Sequence, residues 1–236
     1  MIRVGFIGTG GFTCHHVNIL NELENIEVVG FVGSSHEKAE TFAQGYPGTS
    51  GYSSLENMIA NEQLDAVYIC VPPMGHENYE ELLIEHNIPF LVEKPLGIEE
   101  AKVRHIKHKV KETNHLTSVG YHFRYADIID IFKDHLKNQE TGIVLGKWMG
   151  SMPGGVYWWR NQKQSGGQFN EQTTHIIDLI RYLFGEVKSV YAQEVNAITS
   201  KKDSSVTVAD VGLFMLTLES GLLVQVSNTA VLPGGE

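Results

Sequence analysis

Ile2-Arg3-Val4-Gly5-Phe6-Ile7-Gly8-Thr9-Gly10-Gly11-Phe12-Thr13 is the stretch on which the reading of the fold turns. An apolar run, interrupted near its start by Arg3, suits one buried strand. It stops at a cluster of glycines. Beyond them Cys14 to Leu23 places Val17, Leu20 and Leu23 at helical spacing. Strand, glycine turn and helix are the context in which a dinucleotide fingerprint has mechanical meaning. Gly8 would make the tight turn, and Gly10 would let the backbone approach a pyrophosphate. With Gly11 and Phe12, the start of the helix would offer N–H groups and the positive end of its dipole to the anion. Thr13 stands where a third glycine is usual.

Outward from that turn, strands alternate with helices. Glu27–Val32 reads as the second strand, and its tip, Gly33-Ser34-Ser35-His36-Glu37-Lys38, carries no acid for the ribose hydroxyls. Two readings stay open: Ser34, Ser35 and Lys38 receive a 2′-phosphate, or a serine caps the next helix. NAD and NADP are therefore both expected cofactors. Tyr52–Glu56 reads as a short strand leading into a helix capped by Ser53, with Glu56 three residues on. Leu64–Val71 is a strand stopped by Pro72-Pro73, which brings Val71, Pro72 and His76 to the sheet edge that holds Gly8. His76 is either the start of helix Glu77–His86 or a ligand.

The run Pro89-Phe90-Leu91-Val92 ends abruptly in Glu93-Lys94-Pro95. Ligands of open parallel sheets bind beyond the carboxyl ends of the strands, so Glu93 and Lys94 stand where chemistry is expected. A Lys94–Pro95 bond in the cis form open to X–Pro would fix the direction of the lysine. Helix Ile98–Thr113, with Ile98, Val103, Ile106 and Val110 inward, and strand Leu116–Tyr121 complete a doubly wound parallel sheet.

After Tyr121 the alternation stops. His122-Phe123-Arg124-Tyr125 leads into a helix with Ile128, Ile129, Phe132 and Leu136 on one face, and Gly146–Gly150 suggests a strand of a different sheet. The loop Pro153–Gly167 carries Trp158, Trp159, Arg160 and Gly166-Gly167, a composition that points to function. Residues 168–185 read as one helix closed by Gly185, with Ile176, Leu179, Ile180 and Leu183 buried. Glu171 and His175 lie four apart on one face. A carboxylate there would orient the imidazole and raise its basicity, as a general base needs, or the two form a structural pair. Val187–Val195, Val206–Leu218 and Leu222–Asn228 read as antiparallel strands, the last two joined at Glu219-Ser220-Gly221.

A length of 236 residues suits two domains, 1–121 for the dinucleotide and 122–236 after the alternation stops. A formal charge of −10 without a basic block argues against nucleic acid and against an anionic membrane surface. Cys14 and Cys70 are too few for a disulfide framework or a zinc knuckle and read as reduced residues of a cytoplasmic protein. No metal site is expected. No signal peptide is visible, and no apolar stretch approaches the roughly 18 residues of a membrane span.

Taken together, Gly8-Thr9-Gly10-Gly11, Glu93-Lys94-Pro95, Gly166-Gly167, Glu171 and His175 resemble the Gfo/Idh/MocA family of NAD(P)-dependent oxidoreductases. The resemblance implies a Rossmann domain followed by an α/β domain whose open, mostly antiparallel sheet covers the active site and often joins protomers into a homo-oligomer. It gives Lys94 the role of the lysine that touches substrate and nicotinamide, and His175 that of the proton acceptor. Glu171 stands where many members have Asp, and Thr173 where many have Gly. Members continue for roughly another hundred residues, so strands of the second sheet are expected to be missing. The implied reaction is hydride transfer between NAD(P) and a secondary alcohol of a sugar, cyclitol or similar polyol, with Tyr121, His122, Arg124, Trp159 and Arg160 as candidate substrate contacts. A hydrolase or lyase that oxidises its sugar transiently, and a non-catalytic NAD(P) sensor, are the alternatives.

Overall fold

The computed structural model describes residues 1–153 and 155–232, so the expected loop is described apart from residue 154, and the last residues of the second domain lie outside the described residues. The chain forms two compact units, Met1–Gly120 and Tyr121 onward.

The first unit runs β1 (Ile2–Ile7), α1 (Gly11–Leu20), β2 (Ile26–Val32), α2 (His36–Ala43), β3 (Ser50–Tyr52), α3 (Leu55–Asn61), β4 (Ala66–Ile69), α4 (Tyr79–Glu85), β5 (Phe90–Val92), α5 (Glu100–Thr113) and β6 (Thr117–Val119). All strands are parallel, in the order β3-β2-β1-β4-β5-β6. Strands covered on both faces read as continuous apolar runs, which is why the sequence shows them plainly. Ile7, Val67, Ile69, Phe90 and Val92 pack on one side with Leu55, Met58 and Leu83. Val4, Phe6, Val28 and Phe31 pack on the other with Val17, Leu20 and Ala43. The winding reverses between β1 and β4, the switch point where such sheets bind ligands.

Local differences from the sequence reading have simple causes. Helix α1 begins at Gly11 and ends at Leu20, which leaves Leu23 in a turn and exposed. Ser54, not Ser53, caps α3, because Ser54 is the residue with extended backbone and its hydroxyl accepts from the Asn57 N–H. Helix α5 buries none of its side chains fully, so the expected inward stripe is only half-covered.

The second unit comprises α6 (Asp127–Leu136), β7 (Ile143–Met149), a 3₁₀ turn at Tyr157–Arg160, α7 (Gln162–Ser165), a π-helical turn at Phe169–Thr173, α8 (Thr174–Phe184), β8 (Val187–Val195), α9 (Thr199–Lys202), β9 (Val211–Leu218) and β10 (Leu223–Thr229). Its sheet has the order β7-β10-β9-β8, with β7 parallel to β10 and the other pairings antiparallel. One face is packed: Phe214, Leu216, Leu218, Val224 and Val226 close on Ile180, Ile176 and Phe169. The residues between them stay open to solvent. In α6 only Ile129 is buried, while Ile128 and Phe132 are exposed. Strand β9 starts at Val211 rather than Val206, because the N–H groups of Thr207 and Val208 donate to the Arg160 carbonyl and not to a neighbouring strand. Among the described residues no helix is long and apolar enough to cross a membrane.

Candidate functional site

In the first unit the site is built at the ends of β1, β2, β4 and β5. Gly8 has φ +111°, and a Cβ on it would lie 2.3 Å from the Cys70 carbonyl oxygen, so the close approach of β1 and β4 tolerates only glycine. Thr13 explains the missing third glycine: it is fully buried, and its hydroxyl donates to the Gly8 carbonyl at 3.0 Å, locking helix to turn. In front of α1 the ground is open. A Cβ at Gly10 or Gly11 would meet nothing within 4 Å, the cap residue Gly10 offers no side-chain acceptor, and no acid occupies the first turn. First-turn N–H groups facing open space with no competing anion fit a dinucleotide pyrophosphate. Phe12 is exposed beside them.

At the tip of β2 the two serines divide the two readings. Ser35 caps α2, accepting from the Lys38 N–H, while Ser34 accepts from the Lys38 ammonium at 3.0 Å. Val71 and Pro72 follow β4 at the same edge. His76 is not presented to that edge as a ligand. Its Nδ1 lies 2.6 Å from Glu80 Oε1, both side chains are almost wholly buried, and the Lys102 ammonium donates to the carbonyls of His76 and Glu77. It follows a 3₁₀ turn at Pro73–Gly75 and precedes α4 by three residues, so it does not itself start a helix.

Glu93 closes β5 as a buried carboxylate. One oxygen lies 2.7 Å from His16 Nε2, and the other accepts the backbone N–H of Lys94 at 3.1 Å. Burial, reinforced by the Glu93 charge, pushes the neighbouring Cys70 thiol up to about 12. The Lys94–Pro95 bond is cis, and the Lys94 ammonium sits 6.0 Å from the centre of the Phe12 ring.

In the second unit His175 lies in the first turn of α8 and is 5% exposed. Aromatic rings surround it, with centroids of His122 at 4.8 Å, Phe123 at 4.9 Å, Trp148 stacked at 6.0 Å and Tyr121 edge-on at 6.0 Å. The Tyr121 hydroxyl bonds Thr174, and burial raises the pKa of the phenol above its ordinary value. Glu171 falls inside the π-helical turn that precedes α8, an interruption that frequently marks functional sites. The glycine pair sets up that turn: Gly166 and Gly167 have φ +76° and +85°, and a Cβ on either would collide with Asn170 or Gln162.

Two expected substrate contacts take other places. Arg124 forks onto the buried Asp178, with Nε 2.6 Å from Oδ2, and that bond raises the guanidinium pKa further. Two of its three nitrogens are therefore engaged inside the unit. Trp159 is 2% exposed and packs with Val206, Val208 and Ala230, so it is core. Arg160 lies 5.7 Å from the Tyr157 ring. Sequence reasoning missed Asp178, although its place three residues after His175, between apolar neighbours, was a usable signal. It also missed Trp148, which nothing local connects to His175.

A model of an oxidoreductase family with an NAD-binding Rossmann fold, GFO_IDH_MocA, matches residues 2–121, and a model of the GFO/IDH/MocA C-terminal domain matches residues 143–236. Glucose-6-phosphate 3-dehydrogenase of Bacillus subtilis is 27% identical over 224 residues, 89% of this chain and 62% of that protein. Inositol 2-dehydrogenase of Corynebacterium glutamicum is 25% identical over 232 residues, 95% of this chain and 66% of that protein. The chain thus spans about two-thirds of the length of these relatives. Among solved structures, GenD2 from gentamicin A biosynthesis in complex with NAD superposes with a TM-score of 0.85 at 20% identity, covering 99% of this chain and 67% of that one. A WlbA dehydrogenase in complex with NADH and UDP-GlcNAcA from Chromobacterium violaceum gives 0.87 at 21% identity, covering 99% and 68%. At such identity these two structures speak for the fold alone.

Proposed function

The chain belongs to the Gfo/Idh/MocA family of oxidoreductases, with an NAD-binding Rossmann fold in its first unit, and from that premise we propose that it moves a hydride between a nicotinamide dinucleotide and a secondary alcohol or ketone of a sugar, cyclitol or similar polyol. The observation that carries the reading is the corner at the end of β5, where Glu93 is pinned by His16 of α1 and Lys94 follows it at the edge that holds the glycine turn. Dehydrogenases of a sugar phosphate and of inositol among the relatives support the substrate class.

When bound, the nicotinamide supplies the hydride chemistry. Gly8, Gly10, Gly11 and the first turn of α1 hold the pyrophosphate, and Phe12, Val71 and Pro72 border it. NAD is the cofactor of this fold; the Ser34–Lys38 pair, with no acid at the β2 tip, leaves room for the 2′-phosphate of NADP. Lys94 stabilises the developing alkoxide. His175 takes the hydroxyl proton, and Glu171 orients its ring. Tyr121, His122 and Arg160 contact substrate, while Arg124 and Trp159 support them from within. The apolar open face of the second sheet serves a homo-oligomer, and the two free cysteines suit the cytoplasm.

The test is NAD(P)H formation over a polyol panel that includes glucose 6-phosphate and myo-inositol, for wild type and Lys94→Ala. Loss of about a hundredfold or more in turnover is expected of a group that stabilises developing charge. Equal turnover would remove Lys94 from the reaction. Bond cleavage without net NADH release would move the protein to the transient-oxidation class, and cofactor binding with an inert panel would favour the sensor.

A further inference from the structure

Helix α1 reaches the Glu93–Lys94 corner with two side chains on one face. Phe12 turns its ring toward the Lys94 ammonium, 6.0 Å from Nζ to the ring centre. One helical turn later, His16 places Nε2 2.7 Å from Glu93 Oε1. A carboxylate only accepts, so Nε2 carries the proton of this bond. The other Glu93 oxygen takes the backbone N–H of Lys94, so a continuous chain of hydrogen bonds runs from α1 to the lysine.

The carboxylate is closely confined. Its side chain is 10% exposed and that of His16 20%. A Cβ on Gly120 would lie 2.8 Å from both carboxylate oxygens, so glycine there is what leaves the group its room. Tyr68 holds the His16 ring edge-on at 5.3 Å. A carboxylate so short of water needs its donor: without the His16 N–H it would turn outward and release its hold on the Lys94 amide.

We propose that His16 is a positioning residue for Lys94, acting through Glu93, and that it couples nucleotide binding at the start of α1 to the placement of the lysine. The inference rests on the roles given above to the glycine turn and to Lys94. It assigns His16 a mechanical part that its place in the second turn of a helix does not disclose.

The experiment follows Lys94 directly. The full chain is acetylated with N-hydroxysuccinimide acetate, with and without saturating NADH, and the Lys94 rate is read by mass spectrometry against the exposed Lys107 and Lys188. In wild type, NADH slows the labelling of Lys94. In His16→Leu the rate without nucleotide changes about tenfold and protection by NADH is lost, as follows from removing a hydrogen bond to a charged group. The NADH dissociation constant in that variant rises by no more than about tenfold, since linkage returns the lost coupling to nucleotide affinity while every pyrophosphate contact is kept. His16→Gln, whose amide N–H can still reach Glu93, restores the wild-type pattern; the shorter His16→Asn behaves like His16→Leu and decides the matter should the leucine variant fail to fold. Wild-type labelling in both His16→Leu and His16→Asn would overturn the proposal, as would His16→Gln behaving like them, or NADH leaving Lys94 unprotected in wild type. These outcomes separate from failure of the functional reading: Lys94→Ala with full turnover removes the catalytic role, yet the rate without nucleotide still reports whether His16 holds the lysine.

Discussion

Asp210 shows how much one buried carboxylate can organise. Its Oδ1 accepts the N–H of Ala197 at 2.8 Å, and its Oδ2 accepts those of Ile198 at 2.9 Å and Thr199 at 2.6 Å, closing the turn that begins α9. Burial would raise its pKa, but the three backbone donors outweigh burial and hold it below the ordinary value. The folded protein therefore binds this proton less readily than the unfolded chain. The stabilisation is complete above the unfolded pKa of about 3.9 and is lost as pH falls through the lower folded value. Asp210→Asn cannot offer two accepting oxygens and is expected to cost about 2 kcal/mol at neutral pH. Urea midpoints measured from neutral pH downward should fall less steeply for the variant; equal slopes would count against this account. The glycine turn supplies a contrast. Gly8→Ala meets backbone at 2.3 Å with φ +111° and is expected to cost about 2–3 kcal/mol in a denaturation midpoint. Gly10 has φ −98° and open space, so Gly10→Ala should leave the midpoint within about 0.5 kcal/mol while weakening NADH binding about tenfold or more by standing where the pyrophosphate approaches. Unchanged binding would move the pyrophosphate elsewhere.

At the scale of elements, the segment before α8 is where tertiary bonds overrule a helical pattern. Residues 168–185 have the periodicity of a single α-helix, yet Phe169–Thr173 forms a π turn. Gln168 donates to the Thr229 carbonyl at 2.8 Å, and Asn228 donates to the Thr173 hydroxyl at 2.8 Å, both tying this turn to β10. Those bonds join residues 55 or more positions apart, so no local pattern announces them. Thr173→Val keeps the volume and removes the acceptor, leaving the buried Asn228 amide short of a partner. A loss of about 1–3 kcal/mol is expected in a urea unfolding midpoint, and a neutral result would show that the amide finds another partner.

At the scale of the molecule, the two units bury their sheets differently. The first unit covers its parallel sheet with helices on both sides. The second covers one face with α8 and leaves Ile143, Leu145, Leu213, Met215 and Tyr191 exposed on the other. An apolar face of this kind marks an interaction surface. The homo-oligomer proposed above predicts that Leu213→Lys with Met215→Lys lowers the sedimentation coefficient to that of a protomer. Thermal stability of the dissociated protomer should change by no more than about 0.5 kcal/mol, because these side chains already meet solvent there. An unchanged sedimentation coefficient would leave the face without a role in assembly.

The sequence alone determined the alternation of strands and helices in the first unit, its parallel sheet, a second sheet of different kind and the placement of Lys94 at a strand end. These are local matters: apolar runs, glycine and proline breaks, and helical spacing record which residues want burial and where the chain must turn. Tertiary structure decided which residues meet. His16 reaches Glu93 across 77 positions, Trp148 stacks on His175 from a strand, Arg124 turns to Asp178, and Trp159 becomes core. Periodicity states that a face will be covered but carries no information on what covers it. For that reason the place of Lys94 at a strand end was legible, and the histidine bonded to its neighbour Glu93 was not.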